Sequence, residues 1–309
     1  MERCKKIVVV GSTNVDLIAR VSHLPAPGET IGDAEYRVSY GGKGANQAIA
    51  AARSGGDVSF VSCLGDDAYA DTLIASFIDS GMNVDYIRKC AGQSTGIAFI
   101  FVAESGENCI AVAPGANNRM QGEQMEIIFP CIKEAEALVL QLEIPYESVV
   151  SLIEYAHSVG TKVILNPAPA KQMPLDVLEK VDVLILNETE AALITGEPFR
   201  SSDPLAVAQS LRKRAEQIVI LTLGQKGSVV VSDKVEKQIP SYTVKAVDTT
   251  GAGDTFCGAF VTRWVKGEDL QDCVQFATAA AALSVTKIGA QSSVPCEAEV
   301  LDFMYGNID

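Results

Sequence analysis

The sequence predicts an α/β fold, a mostly parallel central sheet covered by helices on both faces, with a second, smaller sheet projecting from it. Three observations carry that reading. Short apolar, β-branched runs recur at 7–10, 58–63, 137–142, 163–165, 183–186, 218–223 and 229–231, and helix-like segments lie between them. Continuous apolar strands alternating with helices mark a parallel sheet buried on both faces. Two other stretches, about 14–40 and 96–113, alternate polar and apolar residues, as a sheet with one covered and one open face does. The chain's 309 residues, 48% of them hydrophobic, suffice for a sizeable core. With no linker, internal repeat or low-complexity tract, we expect a single domain over 1–309.

Each element follows from local pattern. IVVV at 7–10 ends in Gly11-Ser12-Thr13-Asn14, and LPAPGET with EYRVSYGG supplies the first alternating stretch. Gly41-Gly42-Lys43-Gly44 is a glycine-rich turn that runs into a helix-like segment over 44–53. A second such segment spans 71–79, after the run 58–63. GIAFIFVAESGENCIAVA at 96–113 reads as a hairpin turning near Ser105-Gly106. We take both alternating stretches as one small sheet, a lid, a dimer surface or both. ALVLQL precedes Glu143, and the segment 146–157 leads to the next run at 163–165. In DVLILN four apolar residues are followed by Asn187, a polar residue at a strand's C-terminal end, where ligands bind in such sheets. The helix-like segment 204–214 and the run 218–223 lead into Gly224-Gln225-Lys226-Gly227. Behind Gly251-Ala252-Gly253 the segment 254–265 reads as a further helix.

Composition excludes several function classes. There are 25 Lys and Arg against 39 Asp and Glu, a net charge of −14, which argues against a nucleic-acid or anionic-membrane partner but not against a small anionic ligand in a local pocket. MERCKKIVVVGS lacks the apolar segment and cleavage site of a signal peptide, and no stretch approaches a transmembrane span. The eight cysteines, Cys4, Cys63, Cys90, Cys109, Cys131, Cys257, Cys273 and Cys296, show no CxxC spacing and mostly sit in apolar runs. They read as reduced core thiols of a cytoplasmic protein. There is no GxxxxGK[ST] and no GxGxxG, so a P-loop NTPase or a dinucleotide-dependent dehydrogenase is not expected.

The chemistry concentrates in AVDTTGAGDTFCGAFV. Gly251 and Gly253 before a helix leave backbone N–H groups free for an anion. Asp254 in that position is either a helix cap or a base. A carboxylate beside an anion site makes sense if a phosphoryl group is transferred to a hydroxyl whose proton the carboxylate takes. A polyol pocket is then required. Asn14, Asp16, Gly42, Lys43, Asn46 and Glu143 stand at expected strand ends or in the glycine turn, with groups suited to several hydroxyls, although each alone reads equally as a turn or cap residue. Asn187 and Glu190 are spaced for a capping motif or for the phosphates and hydrated Mg²⁺ of ATP. In the stretch from Thr222 to Gly227, Gly224 and Gly227 would let backbone approach a nucleotide, or form a plain βα turn.

GGKGANQAIAAARSGG and DTTGAGDTFCGAF resemble the two signatures of the PfkB carbohydrate-kinase family, and GSTNVD, LPAPGET, QLEIP, NPAPA, NETEA, TLGQKG and GAQSSVP extend the resemblance in order along nearly the whole chain. The resemblance implies a three-layer α/β domain with a β-sheet lid that closes over the sugar and pairs with another subunit's lid in a homodimer. It implies ATP-dependent phosphorylation of D-ribose at the 5-hydroxyl. By the same resemblance Asp254 is the catalytic base, Gly251, Ala252 and Gly253 form the anion hole, and Asn14, Asp16, Gly42, Lys43, Asn46 and Glu143 contact ribose. Asn187, Glu190, Thr222, Gly224 and Gly227 match the nucleotide and Mg²⁺ region, and Thr278 a position near adenine. Asp248, Thr250, Ser284, Lys287, Gly289 and Ser293 match loops that hold a monovalent cation, K⁺, several through backbone carbonyls. On residues alone those six are ordinary loop positions. The rival readings are a 2-deoxyribose, fructose or nucleoside kinase of the same family, and a non-catalytic sugar or nucleotide sensor.

Overall fold

The computed structural model describes residues 5–199 and 203–306; Cys4 lies outside them. In chain order the elements are β1 (Lys6–Val10), β2 (Asn14–Val21), β3 (Glu35–Gly41), α1 (Lys43–Arg53), β4 (Asp57–Gly65), α2 (Ala68–Asp79), β5 (Ile87–Cys90), β6 (Gly96–Ala103), β7 (Asn108–Ala113), α3 (Phe129–Glu134), β8 (Ala137–Leu140), α4 (Tyr146–Val159), β9 (Lys162–Leu165), α5 (Leu175–Leu178), β10 (Val183–Asn187), α6 (Glu188–Thr195), α7 (Pro204–Leu211), β11 (Ile218–Thr222), β12 (Ser228–Val231), β13 (Glu236–Ile239), α8 (Ala252–Lys266), α9 (Leu270–Ser284) and α10 (Glu297–Tyr305). Two 3₁₀ segments, Gly115–Arg119 and Gly122–Ile128, follow β7.

Nine strands form the large sheet in the order β13-β12-β11-β10-β9-β8-β1-β4-β5. The pairings from β11 through β1 to β5 are parallel. Side-chain alternation divides its core into two layers. Ile7, Val9, Phe60 and Val139 face α1, α2, α8 and α9, whereas Val8, Val10, Leu138 and Leu140 face α3, α4, α6 and α7. Both faces of each central strand are therefore buried, which is why these runs are continuously apolar.

The run 229–231 belongs to this sheet but lies antiparallel to β11, since only a short turn joins them and a parallel pair needs a long crossover. The edge strands β5 (IRKC) and β13 (EKQI) carry no apolar run that would announce them.

The small sheet, ordered β3-β2-β6-β7, uses the two alternating stretches. Asn14 lies in register with Gly41 on one side and Gly96 on the other, so three strands meet at the mouth of the large sheet. One face carries the rows Val38-Leu17-Phe99 and Tyr36-Ala19-Phe101, with Tyr36 64% and Phe99 43% exposed. The other face carries Asp16 and Ser39.

Cys63, Cys90, Cys131, Cys257 and Cys273 are buried free thiols, but Cys109 and Cys296 are exposed, against expectation. Cys109 lies on β7, whose residues are all exposed, opposite Phe101 of β6, and Cys296 sits at the N-cap of α10.

Candidate active site

The C-terminal ends of β1, β8, β9 and β10 face the N-termini of α1 and α8. Gly251 caps α8 in the left-handed conformation, φ 75°, which a side chain would strain. In the first turn the amides of Ala252 and Thr255 donate to the Thr249 and Gly251 carbonyls, whereas those of Gly253 and Asp254 have no intrahelical acceptor. Space beside Gly253 is open.

Asp254 does not cap its helix; its carboxylate turns to α1. Oδ2 accepts from Asn46 Nδ2 at 2.9 Å and Oδ1 from Gln47 Nε2 at 2.9 Å. The two helices come this close because of Gly258, one turn after Asp254. A Cβ there would sit 2.4 Å from the Gln47 carbonyl oxygen and 2.6 Å from Ala50 Cβ. A carboxylate only 6% exposed is costly unless hydrogen-bonded, and the two amides meet that cost.

Lys43 begins α1, and its backbone N–H donates to Glu143 Oε2 at 2.9 Å, which also accepts from Ser12 Oγ at 2.5 Å. The Lys43 ammonium makes no ion pair among the described residues. Burial opposes its charge, but Asp254, Glu143 and Glu190 outweigh burial and hold its pKa above the usual lysine range. Asp16, on β2, is pushed up to about 7, first by burial and then by Glu143. Asn14 Oδ1 accepts from Asn117 Nδ2 at 2.8 Å, and Asn117 Oδ1 from the Thr13 N–H at 3.0 Å. This leaves Asn14 chiefly its Nδ2. Asn46 Oδ1 is buried without a partner.

A cavity of about 520 Å³ opens on the other side of Gly253, lined by Asn187, Thr222, Gly224, Gly227 and Thr278 among others. The Thr278 and Thr222 hydroxyls donate to the Val274 and Leu186 carbonyls at 2.7 and 3.3 Å. Asn187 and Glu190 form a capping box on α6, and Glu190 returns both carboxylate oxygens to Asn187. Burial raises the Glu190 pKa above the ordinary carboxylate value, and the Asn187 bonds and Lys43 only partly offset it. Each Glu190 oxygen accepts one bond from Asn187 and keeps a second lone pair, so the pair fits a hydrated Mg²⁺.

The two loops matched to a monovalent cation are joined. Asp248 Oδ1 accepts from the Thr250 N–H and Oγ1 at 3.0 and 2.6 Å, its Oδ2 accepts from the Gly289 N–H at 3.0 Å, and Val247 N–H reaches the Val285 carbonyl at 2.7 Å. Burial works against the Asp248 charge, but these donors and Arg37 hold its pKa below the ordinary value. Ser284 and Ser293 donate to the Ala281 and Ala290 carbonyls, and Lys287 pairs with Glu299 at 2.9 Å. The Asp248, Ser284, Ser293 and Lys287 side chains are thus spent within the protein. Among the described residues no cluster of three His, Cys, Asp or Glu suits a metal.

Sequence reasoning missed Asn117, Gln47, Gln141 and Asn166. Gln47 stood in the quoted GGKGANQA, but nothing local distinguished it from a helix residue. Asn117 lies 103 positions from its partner Asn14.

Residues 4–297 match the family model for pfkB family carbohydrate kinases. The chain is 40% identical over 301 residues to a ribokinase of Haemophilus influenzae, covering 97% of this chain and 98% of that protein. It is 38% identical over 291 residues to a deoxyribokinase of Salmonella typhi, covering 94% and 95%. The Arabidopsis thaliana ribokinase complexed with ribose and ATP superposes with a TM-score of 0.89 at 33% identity, covering 97% of this chain and 99% of that one.

Proposed function

The chain belongs to the pfkB family of carbohydrate kinases, and we propose that it transfers the γ-phosphoryl group of ATP to the 5-hydroxyl of D-ribose, giving ribose 5-phosphate and ADP. The observation that carries this is Asp254, a buried carboxylate fixed by Asn46 and Gln47 in the first turn of α8, beside two amides without intrahelical acceptors. The pocket of Asn14, Asp16, Lys43 and Glu143 holds the sugar, and the cavity beyond Gly253 holds the nucleotide.

Asp254 takes the proton of the 5-hydroxyl as its oxygen attacks the γ-phosphorus. The bond from that phosphorus to the bridging oxygen breaks, and ADP leaves with the electron pair. The free amides of Gly253 and Asp254 and the Lys43 ammonium stabilise charge on the moving group, whereas the Ala252 amide, expected in the anion hole, is spent on the Thr249 carbonyl. The sugar hydroxyl between Asp254 and the phosphate separates two negative charges that would otherwise repel. Asn187 and Glu190 would hold the hydrated Mg²⁺ of the ATP phosphates, which would supply charge neutralisation, and the 248–250 and 284–293 loops would hold K⁺ through backbone carbonyls, which would order the turn that Asp248 anchors.

The small sheet serves as the lid of a single domain over 1–309, and its apolar face pairs two copies in a homodimer. Among the described residues no helix is long and apolar enough to cross a membrane, and the buried free thiols fit a cytoplasmic enzyme.

Similarity to a deoxyribokinase makes 2-deoxyribose the rival substrate, and Asn14 favours ribose. A coupled ADP-release assay over pentoses, 2-deoxyribose, fructose and nucleosides, with wild type and Asp254→Asn, tests the reading. We expect ribose to lead and the variant to bind both substrates with kcat reduced roughly 10²- to 10⁴-fold. Retained turnover in Asp254→Asn would remove the base, and failure on every sugar would leave a sensor.

A further inference from the structure

We infer that Gln47 is a positioning residue for Asp254, and that a directed chain of buried amides running to the β10 backbone dictates which way Gln47 faces. The inference rests on the reading of Asp254 as the base.

The chain starts from a group that cannot reverse. The Ile185 carbonyl, in β10, only accepts, and Asn166 Nδ2 donates to it at 2.9 Å. That turns Asn166 Oδ1 toward Gln47, whose Nε2 donates to it at 3.1 Å. The other hydrogen of the same Nε2 goes to Asp254 Oδ1 at 2.9 Å. Gln47 Oε1, on the far side of the amide, accepts from Gln141 Nε2 at 2.7 Å. A flipped Gln47 would set its oxygen against both the Asn166 oxygen and the Asp254 carboxylate, two repulsive contacts at once, so one orientation is enforced, and Gln141, whose own Oε1 is buried without a partner, turns to follow it.

Placement reinforces this. Gln141 and Asn166 directly follow β8 and β9, and β9 lies between β8 and β10, so the amide chain crosses three consecutive strands of the sheet. Gln47 and Gln141 are 0% and 1% exposed, so water does not compete for these bonds. The base is thus held from two directions, by Asn46 on Oδ2 and by Gln47 on Oδ1. Asn46 has an unpaired Oδ1 and no comparable anchor, so Gln47 supplies the directional restraint. A general base misplaced by about 1 Å costs on the order of 10²-fold in rate.

The test uses Gln47→Met, Gln141→Met and the double variant in the full-length enzyme, with ribose and ATP as substrates. We expect Gln47→Met to lower kcat roughly 10- to 100-fold while both KM values stay within about twofold, because the hydroxyl and phosphate contacts remain. Gln141→Met, which touches neither substrate nor base, should lower kcat by less with the same KM pattern. Because Gln141 acts through Gln47, the double variant should be no slower than Gln47→Met alone. Unchanged kcat in Gln47→Met, rising KM at constant kcat, or multiplicative losses in the double variant would each overturn the inference. Melting curves and ATP binding check folding. If Gln47→Met does not fold, the kcat-against-KM split in Gln141→Met decides alone. Asp254→Asn separates the two levels: an inert Asp254→Asn with normal Gln47→Met defeats only this inference, whereas an active Asp254→Asn defeats the base itself.

Discussion

Asn14 has only half of its amide to offer a ligand. Asn117 occupies its Oδ1, and Nδ2 has no partner among the described residues. A site built to bond a hydroxyl pays about 1–3 kcal/mol when that hydroxyl is missing, roughly 5- to 150-fold in kcat/KM. We expect ribose to be preferred over 2-deoxyribose by a factor in that range, and Asn14→Met to hurt ribose more. Equal losses on both sugars would reduce Asn14 to a loop support. Asp16 adds a pH dependence. Its folded pKa of about 7 stands above the ordinary 3.8, so the folded apo protein keeps a proton that the unfolded chain has lost. Stability from this group is full below about 4 and is lost as pH climbs to about 7, at up to about 1.4 kcal/mol per pH unit. Chemical denaturation across that window should show the decline, and Asp16→Asn should remove it; parallel curves would discard the shift. At this scale the sequence made Asp254 and Lys43 legible, since glycine turns surround both. It hid Asn117 and Gln141, whose roles exist only once distant segments meet.

The helix pair α1 and α8 sets the distance between base and amides. At Gly258 backbone meets backbone, and an added methyl would fall 2.6 Å from the Ala51 nitrogen. Alanine gains up to about 1 kcal/mol over glycine in a helix, but overpacking a tight contact costs about 1–3 kcal/mol. We expect Gly258→Ala to lower the urea midpoint and to reduce kcat as Asp254 is levered off Asn46 and Gln47. A midpoint at or above wild type would show slack between the helices. The strands with continuous apolar runs were legible for the same reason that they are central: both faces are buried. IRKC and EKQI were not, because an edge strand buries little and its polar residues carry no period.

At the scale of the whole molecule, charge and surface pull in opposite directions. The chain carries a net charge of −14, which repels a second copy. Yet the small sheet presents Tyr36, Val38, Phe99 and Phe101 on one face, each at least 37% exposed. An apolar sheet face of this kind is a liability in a monomer and marks an interaction surface. If apolar contact drives association against like-charge repulsion, screening should strengthen it, the reverse of an interface built on ion pairs. We therefore expect light scattering at micromolar concentration to give about twice 32.7 kDa, with dissociation first appearing at low ionic strength. Phe99→Asp places a charge at the centre of that face, next to Leu17 in the register. It should yield a monomer that still binds ATP, because Phe99 lies on the face of the sheet opposite Asp16. A single-chain mass at every salt concentration, or a dimer indifferent to Phe99→Asp, would assign the apolar face to something other than a second copy.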